Sequence, residues 1–183
     1  MHSCGNNPND FKKGFNNKFV SFQHPFNWKY LENENEFIIA RLFDQKYQSI
    51  ITISIAPCLT NDIKDLKETI ESDFKEKQWK IKDSKVIKEE DIQAWDVIFE
   101  IKEEEKLLEL EQYNILKENN LYTIEIASHN RTQIMNDYVN LIRSFKIHKP
   151  SYEVNEINEK VLLNLNTALK KKDVVEHLNN RPN

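Results

Sequence analysis

Histidines, which often carry catalysis or bind metals, are scattered through this sequence. They stand at His2, His24, His129, His148 and His177. None forms the His-x-x-x-His or His-Glu-x-x-His spacing that places two zinc ligands on one face of a helix. His24 precedes a proline, which favours an extended or turn residue over a metal ligand. The spacing therefore predicts no metal site, although ligands that meet only in the folded chain would escape this argument.

The candidate nucleophiles lack the neighbours that would activate them. No serine lies in a Gly-x-Ser-x-Gly elbow. Cys58 has no adjacent histidine and follows a strand-like segment, so we interpret it as a small buried or half-buried thiol. The acidic run 103–105 is typical of a solvated hairpin turn, and no Asp-x-Asp-x-Asp-Gly calcium loop is present. These patterns predict a protein that is not an enzyme, unless an active site is assembled only in three dimensions.

Aromatic residues on strand-like segments form the more informative group of candidate functional residues. They are Trp28, Tyr30, Trp95, Tyr113 and Tyr122. Rings at alternating strand positions usually pack in a core against helices. The functional interpretation is an aromatic-lined concave sheet face that binds a peptide or an apolar ligand. Whether the rings are covered decides between these interpretations.

The N-terminal segment contains a candidate modification site. Cys4 is followed by a polar stretch, as at the start of a mature prokaryotic lipoprotein, where the first cysteine carries lipid. Residues 1–3 would then not be native. No lipobox, signal peptide or apolar run of transmembrane length is visible in the sequence. The alternative is an ordinary N-terminus with a chance cysteine.

Composition and charge exclude several classes of protein. Lys+Arg 26 against Asp+Glu 30 gives a net charge of −4, so there is no basic field to attract nucleic acid. Two glycines leave little room for a Rossmann fingerprint or a P-loop, and two cysteines exclude a disulfide framework. A chain of 183 residues with 39% hydrophobic residues is long enough for one domain with a core of its own.

Hydrophobic periodicity predicts the elements that must position these residues. Alternation predicts strands at 19–22, 28–30, 36–43, 49–56, 79–81, 86–87, 92–101, 121–127 and 145–147. Helical spacing predicts one helix through Ile63, Leu66, Ile70 and Phe74, and a second through Ile134, Tyr138, Leu141 and Ile142. Thr60 or Asn61 is expected to cap the first helix, and Ser128 or Asn130 the second. The leucines and glutamates of 107–116 favour a helix, but the following Asn119-Asn120 turn favours a hairpin strand, which we choose.

The order of these elements, with particular residues in it, resembles PsbP-like proteins. Residues 19–29, Phe-Val-Ser-Phe-Gln-His-Pro-Phe-Asn-Trp-Lys, are similar to the family's opening, where an aromatic strand leads to Tyr-Pro-x-x-Trp. His24 stands where a tyrosine is usual. Residues 53–55, 120–124 and 142–147 resemble the central strand, the late hairpin and the closing motif. The resemblance covers 18–148 and implies a Mog1p/PsbP-like α+β fold. This fold is an α/β/α sandwich with an antiparallel sheet of about six strands flanked by helices.

Composition and helical spacing at the two ends of the chain, together with the resemblance over 18–148, predict a domain organisation and a function. We expect a flexible tether at 1–17, a PsbP-like domain at 18–148, and a C-terminal amphipathic helix with a loose tail at 149–183. The resemblance implies a binding protein without a cofactor, since the groups of this fold include photosystem and nuclear-transport proteins, lipoproteins and adaptors. Our hypothesis is an extracytoplasmic lipoprotein, membrane-anchored at Cys4, that binds an envelope or surface protein. The alternative is a cytoplasmic adaptor or chaperone that binds its partner through the sheet face, with residues 153–172 covering that face when it is empty.

Overall fold

Strands dominate the computed structural model, which describes residues 13–32, 35–89, 92–103, 106–129 and 131–149. Its elements are β1 (Lys13–Asn16), β2 (Val20–His24), β3 (Lys29–Tyr30), β4 (Ile38–Asp44), β5 (Ser49–Pro57), α1 (Ile63–Glu76), β6 (Lys80–Glu89), β7 (Ile92–Glu103), β8 (Lys106–Lys117), β9 (Asn120–Ser128), α2 (Arg131–Ser144) and β10 (Lys146–Ile147). Cys4 and the expected helix at 153–172 lie outside the described residues. Neither of the helices in these ranges is long and apolar enough to cross a membrane.

The strands form two antiparallel sheets. The larger sheet has seven strands in the order β3-β4-β5-β9-β8-β7-β6, and the smaller has three in the order β1-β2-β10. The α+β architecture with a large antiparallel sheet is confirmed. The sheet has one strand more than the approximate six because the two-residue strand β3 extends it beyond β4.

Residues 13–16 are a strand, although they lie in the segment expected to be a flexible tether. β1 pairs with β2 in antiparallel register from Lys13 opposite His24 to Asn16 opposite Ser21. The ring of Phe15 stacks on that of Phe22 with centroids 4.8 Å apart. This pairing and stacking order a segment whose polar composition gave little sign of a strand.

Each face of the seven-stranded sheet packs against its own covering element. One face, here the α2 face, packs Ile51, Ile53, Ile124 and Ile126 against α2 and against Phe22 of the small sheet. The opposite α1 face packs Trp95, Val97 and Phe99 against Ile63, Leu66 and Phe74 of α1. The alternation of β5 and β9 therefore gives two half-cores, as the period-two pattern predicted.

The start of α1 differs from the predicted cap by one or two residues. Asp62 is the N-cap, and its carboxylate accepts a hydrogen bond from the backbone N–H of Lys64 at 2.9 Å. This bond is the main cause that lowers the pKa of Asp62. Thr60 instead accepts from the N–H of Asp62, and the side chain of Asn61 bonds to Asn119. Thr60 and Asn61 therefore hold the preceding loop rather than the helix start.

The segment at 107–116 is a strand, as predicted, and its hairpin turn lies one residue earlier than expected. Glu118 and Asn119 form the two-residue turn with φ of 50° and 57°, the left-handed geometry that such hairpins need. Ser128, one of the two expected caps of α2, ends β9 and bonds through its hydroxyl to that of Ser49 at 2.8 Å. The other, Asn130, lies outside the described residues.

Candidate functional site

The five aromatic residues singled out from the sequence do not line one surface. Trp95 is fully buried on the α1 face, where its indole N–H donates to the hydroxyl of Ser84 at 2.9 Å. Trp28 and Tyr122 are buried in the clusters of the opposite face, and Tyr113 is half-buried there. Tyr30 differs from the other four because 49% of its surface is exposed. Of these five residues, Tyr30 offers the most accessible ring.

Tyr30 belongs to a group that we call the aromatic corner, formed by Lys13, His24, Phe26 and Tyr30. The corner lies where the chain leaves β2 and enters β3 at the edge of the larger sheet. Phe26 is 64% exposed, and the Nζ atom of Lys13 lies 4.9 Å from the centre of its ring. Exposed aromatic rings and a neighbouring cation can contact a partner, so we take this corner as a candidate binding surface.

Hydrogen bonds hold the imidazole of the aromatic corner in one tautomer. His24 is buried, with Nδ1 lying 2.9 Å from the carbonyl oxygen of Pro25 and Nε2 lying 2.9 Å from the hydroxyl of Tyr30. Because a carbonyl oxygen only accepts, Nδ1 carries the proton and Nε2 accepts from Tyr30. Burial is the main cause that lowers the pKa of His24, and burial raises the pKa of Tyr30. The neutral pair thus fixes the direction of the Tyr30 ring.

The backbone at Tyr30 adds polar groups to the same corner. Leu31 donates its N–H to the carbonyl of Arg41 at 2.9 Å, across from it on β4. In an antiparallel pair these bonds alternate, so the N–H and C=O of Tyr30 point away from β4. Because β3 is an edge strand, the corner presents two rings, one cation and one backbone donor–acceptor pair.

A second cluster of charged residues ties the start of α2 to the larger sheet. Nε of Arg131 donates to the carboxylate of Glu111 at 2.6 Å and lies 3.6 Å from that of Glu109. Asp96, on the neighbouring strand β7, has a buried carboxylate oxygen without a hydrogen-bond partner within the described ranges. Burial raises the pKa of both Asp96 and Glu111, and their mutual repulsion raises that of Glu111 further. Arg131 therefore attaches the start of α2 to the larger sheet. The nearby carboxylate of Asp96 is left poorly solvated.

Two rows of buried polar side chains cross the α1 face of the larger sheet. Thr52, Glu125 and Gln112 are consecutive partners on β5, β9 and β8, as are Ser54, Thr123 and Asn114. The amide of Gln112 donates to the carboxylate of Glu125 at 2.5 Å, and the hydroxyl of Thr123 donates to Asn114 at 2.9 Å. Polar groups in a sheet interior need such partners to offset their desolvation.

The remaining chemistry-bearing groups do not converge. Cys58 is buried, and burial raises the pKa of its thiol, which lowers its reactivity at neutral pH. Within the described residues, no group of three or more His, Cys, Asp or Glu side chains is placed to hold a metal ion.

Sequence reasoning found Tyr30 but missed Phe26, Lys13 and the role of His24. The available signal was the turn Pro25-Phe26-Asn27, because a large apolar residue inside a turn is often left exposed. The contact between His24 and Tyr30 joins two strands of different sheets, which periodicity along the chain cannot show.

Solved structures share this fold. Cyanobacterial PsbP from Synechocystis sp. PCC 6803 superposes with a TM-score of 0.60 at 10% sequence identity, covering 80% of this chain and 98% of that protein. A protein from Bacteroides thetaiotaomicron VPI-5482 superposes with a TM-score of 0.51 at 12% identity, covering 81% of this chain and 53% of that protein. LpqN, involved in cell envelope biogenesis of Mycobacterium tuberculosis, gives a TM-score of 0.48 at 12% identity, covering 70% of this chain and 82% of that protein.

The comparison with PsbP establishes the fold class. The chain has the PsbP-like α+β fold, and the resemblance drawn from its sequence is confirmed at this level. No protein-family model matches the sequence, and no curated protein matches it. Because a fold hosts many functions, the function has to be argued from the surface of this chain.

Proposed function

We propose that this chain is a non-enzymatic binding domain that docks a protein partner at the aromatic corner. The observation that carries the proposal is the exposure of Phe26 and Tyr30, 64% and 49%, with the cation of Lys13 against the ring of Phe26 and His24 hydrogen-bonded to Tyr30. Exposed aromatic rings are the side chains that most often dominate the energy of a protein interface.

The aromatic corner is rigid enough to bind without a large loss of entropy. Tyr30 is held by His24, and the ring of Phe15 lies 6.4 Å from that of Tyr30. A ring that is already fixed in the free protein loses little rotamer freedom when a partner covers it. The outward N–H and C=O of Tyr30 supply hydrogen bonds that give the docked segment a direction.

We further propose that the domain is tethered to a membrane through lipid on Cys4 and so lies outside the cytoplasm. The support is the sequence, in which a cysteine heads a polar segment that enters the domain at Lys13. The test is the intact mass of the protein from its native cells, with a Cys4→Ser variant as control. A lipid adduct absent from the variant is expected, and an unmodified Cys4 would contradict the tether.

Site-specific photocrosslinking in native cells tests the docking surface. Benzoylphenylalanine replaces Phe26 or Tyr30, and the matched control is the same substitution at Leu107, which is 61% exposed in β8. We expect one protein to be captured from both corner positions and not from position 107. Capture of the same proteins from all three positions would contradict a specific surface.

A second candidate is the cytoplasmic adaptor that binds its partner through the sheet face. The observation that favours it is the two polar rows on the α1 face, since satisfied polar networks make packing against a surface specific. If residues 153–172 cover such a face, deletion of 150–183 should increase the fluorescence of an apolar dye. Unchanged fluorescence of the folded deletion variant would contradict this candidate.

A further inference from the structure

The three-stranded sheet is positively charged, although the chain as a whole is acidic. Residues 13–24 and 145–149, which form this sheet and its turn, contain four lysines and no aspartate or glutamate. The lysines are Lys13, Lys18, Lys146 and Lys149, and each is exposed. The chain as a whole carries a formal net charge of −4, so this sheet differs from the whole chain in the sign of its charge.

Three of these lysines, Lys13, Lys18 and Lys149, contact aromatic rings. The Nζ atoms of Lys18 and Lys149 lie 4.5 Å and 5.9 Å from the ring centre of Phe19, as Lys13 lies over Phe26. Elsewhere, Lys67, Lys77, Lys82 and Lys88 form ion pairs with carboxylates. In the described part of the chain, no carboxylate forms an ion pair with the four lysines of the small sheet.

The backbone holds the two cations at Phe19 in place. The N–H of His148 donates to the carbonyl of Phe19 at 2.7 Å, which fixes the end of β10 beside the turn between β1 and β2. The N–H groups of Phe19 and Val20 both bond to the side chain of Asn17 at 2.8 Å. These hydrogen bonds therefore bring together the backbone segments that carry Lys18 and Lys149.

We propose that the small sheet is the surface with which the domain lies against an anionic lipid bilayer. A membrane whose surface carries negative charge attracts each nearby lysine with a gain in affinity of roughly fivefold. A bilayer is an extended surface, so it can contact Lys18, Lys146 and Lys149 together at the end of the small sheet beside Phe19.

The position of the N-terminal segment favours a membrane over an acidic protein as the partner of this surface. The chain enters the described structure at Lys13, on the small sheet itself. The nine residue-to-residue steps from Cys4 to Lys13 span at most about 30 Å when the chain is extended. A lipid at Cys4 would therefore keep this sheet close to the bilayer. In this one respect the inference rests on the proposed tether.

Vesicle flotation of the full chain carrying Cys4→Ser tests the surface without any contribution from lipidation. The probes are vesicles of phosphatidylcholine with and without phosphatidylglycerol. We expect binding to the anionic vesicles at low salt, and loss of binding at high salt, where the Debye length falls from about 10 Å to about 3 Å. The combined variant Lys18→Gln, Lys146→Gln and Lys149→Gln should bind at least about tenfold more weakly, and it leaves the aromatic corner intact.

The matched control removes three exposed lysines from other elements, Lys64→Gln and Lys75→Gln on α1 and Lys80→Gln on β6. This control variant should bind the anionic vesicles within about twofold of the Cys4→Ser chain that keeps all its lysines. Equal weakening by both triple variants, or no binding of the Cys4→Ser chain to anionic vesicles, would overturn the proposal. Binding to polyglutamate beads without binding to vesicles would overturn it in favour of an acidic protein. The salt dependence needs no lysine variant, so a misfolded variant leaves the test intact.

Because the vesicle assay uses unlipidated protein, its result is separate from the proposed function. If Cys4 carries no lipid but the protein binds anionic vesicles, the proposed tether is contradicted and the membrane-facing surface is supported. If Cys4 carries a lipid but the unlipidated protein does not bind anionic vesicles, the tether is supported and the membrane-facing surface is contradicted.

Discussion

The hydroxyl of Tyr30 lies 2.9 Å from Nε2 of His24, and this hydrogen bond joins the edge of the larger sheet to the end of β2 in the smaller one. It places an exposed ring in a fixed direction by means of a buried imidazole. The aromatic corner therefore depends on contacts between the sheets and not on β3 alone, which has two residues.

Tyr30→Phe removes the hydroxyl of Tyr30 and keeps the ring, so it tests the contributions of the two groups separately. The substitution leaves Nε2 of His24 without its donor, so the free energy of unfolding should fall by about 1 kcal/mol. The exposed ring remains, so docking at the corner should change little. Denaturant unfolding at pH 8 measures the first effect, and an unchanged free energy of unfolding would show that the bond contributes nothing to stability.

His24 should make the protein less stable as the pH falls. Burial lowers the pKa of folded His24 below its ordinary value of 6.5. Below pH 6.5 His24 is therefore protonated in the unfolded chain and still neutral in the folded chain. The free energy of unfolding then falls with decreasing pH until the folded pKa is reached. His24→Gln removes this titration. We expect the free energy of unfolding to fall less steeply between pH 7 and pH 5 in the variant, and parallel curves would contradict the assignment.

Replacing either of two buried tyrosines on the α2 side with phenylalanine should change the free energy of unfolding, and the two changes should have opposite signs. The hydroxyl of Tyr122 has no hydrogen-bond partner in the part of the chain described, and burial raises its pKa to about 12. The hydroxyl of Tyr138 donates to the carbonyl of Ile124 at 2.9 Å. Tyr122→Phe should raise the free energy of unfolding by up to about 1 kcal/mol, and Tyr138→Phe should lower it by about 1 kcal/mol. Each variant controls for the other in thermal or denaturant unfolding.

Asp96→Asn should stabilise the protein at neutral pH. Burial raises the folded pKa of Asp96, so its contribution to stability is most favourable at low pH and declines as the pH rises through the folded pKa. Removing the charge should raise the free energy of unfolding at pH 7 by about 0.5–1 kcal/mol, with the difference vanishing near pH 3. Glu68→Gln on α1 is the exposed control, expected to change stability by less than about 0.5 kcal/mol. A loss of stability in Asp96→Asn would mean that attraction to Arg131 outweighs burial.

Local patterns along the chain predicted most of the fold. The alternation of Ile51, Ile53 and Ile55 placed β5, and the helical spacing from Ile63 to Phe74 placed α1. The strand at 107–116 was chosen from its neighbours and is confirmed, because pairing along both edges outweighs the helix preference of leucine and glutamate.

The candidate site was harder to predict because its contacts are not local. Trp95 and Tyr122 each lie at an apolar position of an alternating strand pattern. The two side chains nevertheless face opposite sides of the sheet, and both are buried there. Phe26 is exposed because a turn carries it from one sheet to the other, a geometry that no spacing in the sequence expresses. The binding role of the five aromatic residues stays a prediction, and among them Tyr30 is placed to contact a partner.

The affinity of the partner captured at positions 26 and 30 tests the central claim most directly. Calorimetry would compare the unchanged chain with the double variant Phe26→Ala, Tyr30→Ala and with Leu107→Ala. The double variant should bind at least about tenfold more weakly, because truncation of central aromatic residues typically costs about 2 kcal/mol or more. Leu107→Ala should bind within about twofold of the unchanged chain. Equal affinities for all three proteins would show that the aromatic corner is not the binding surface.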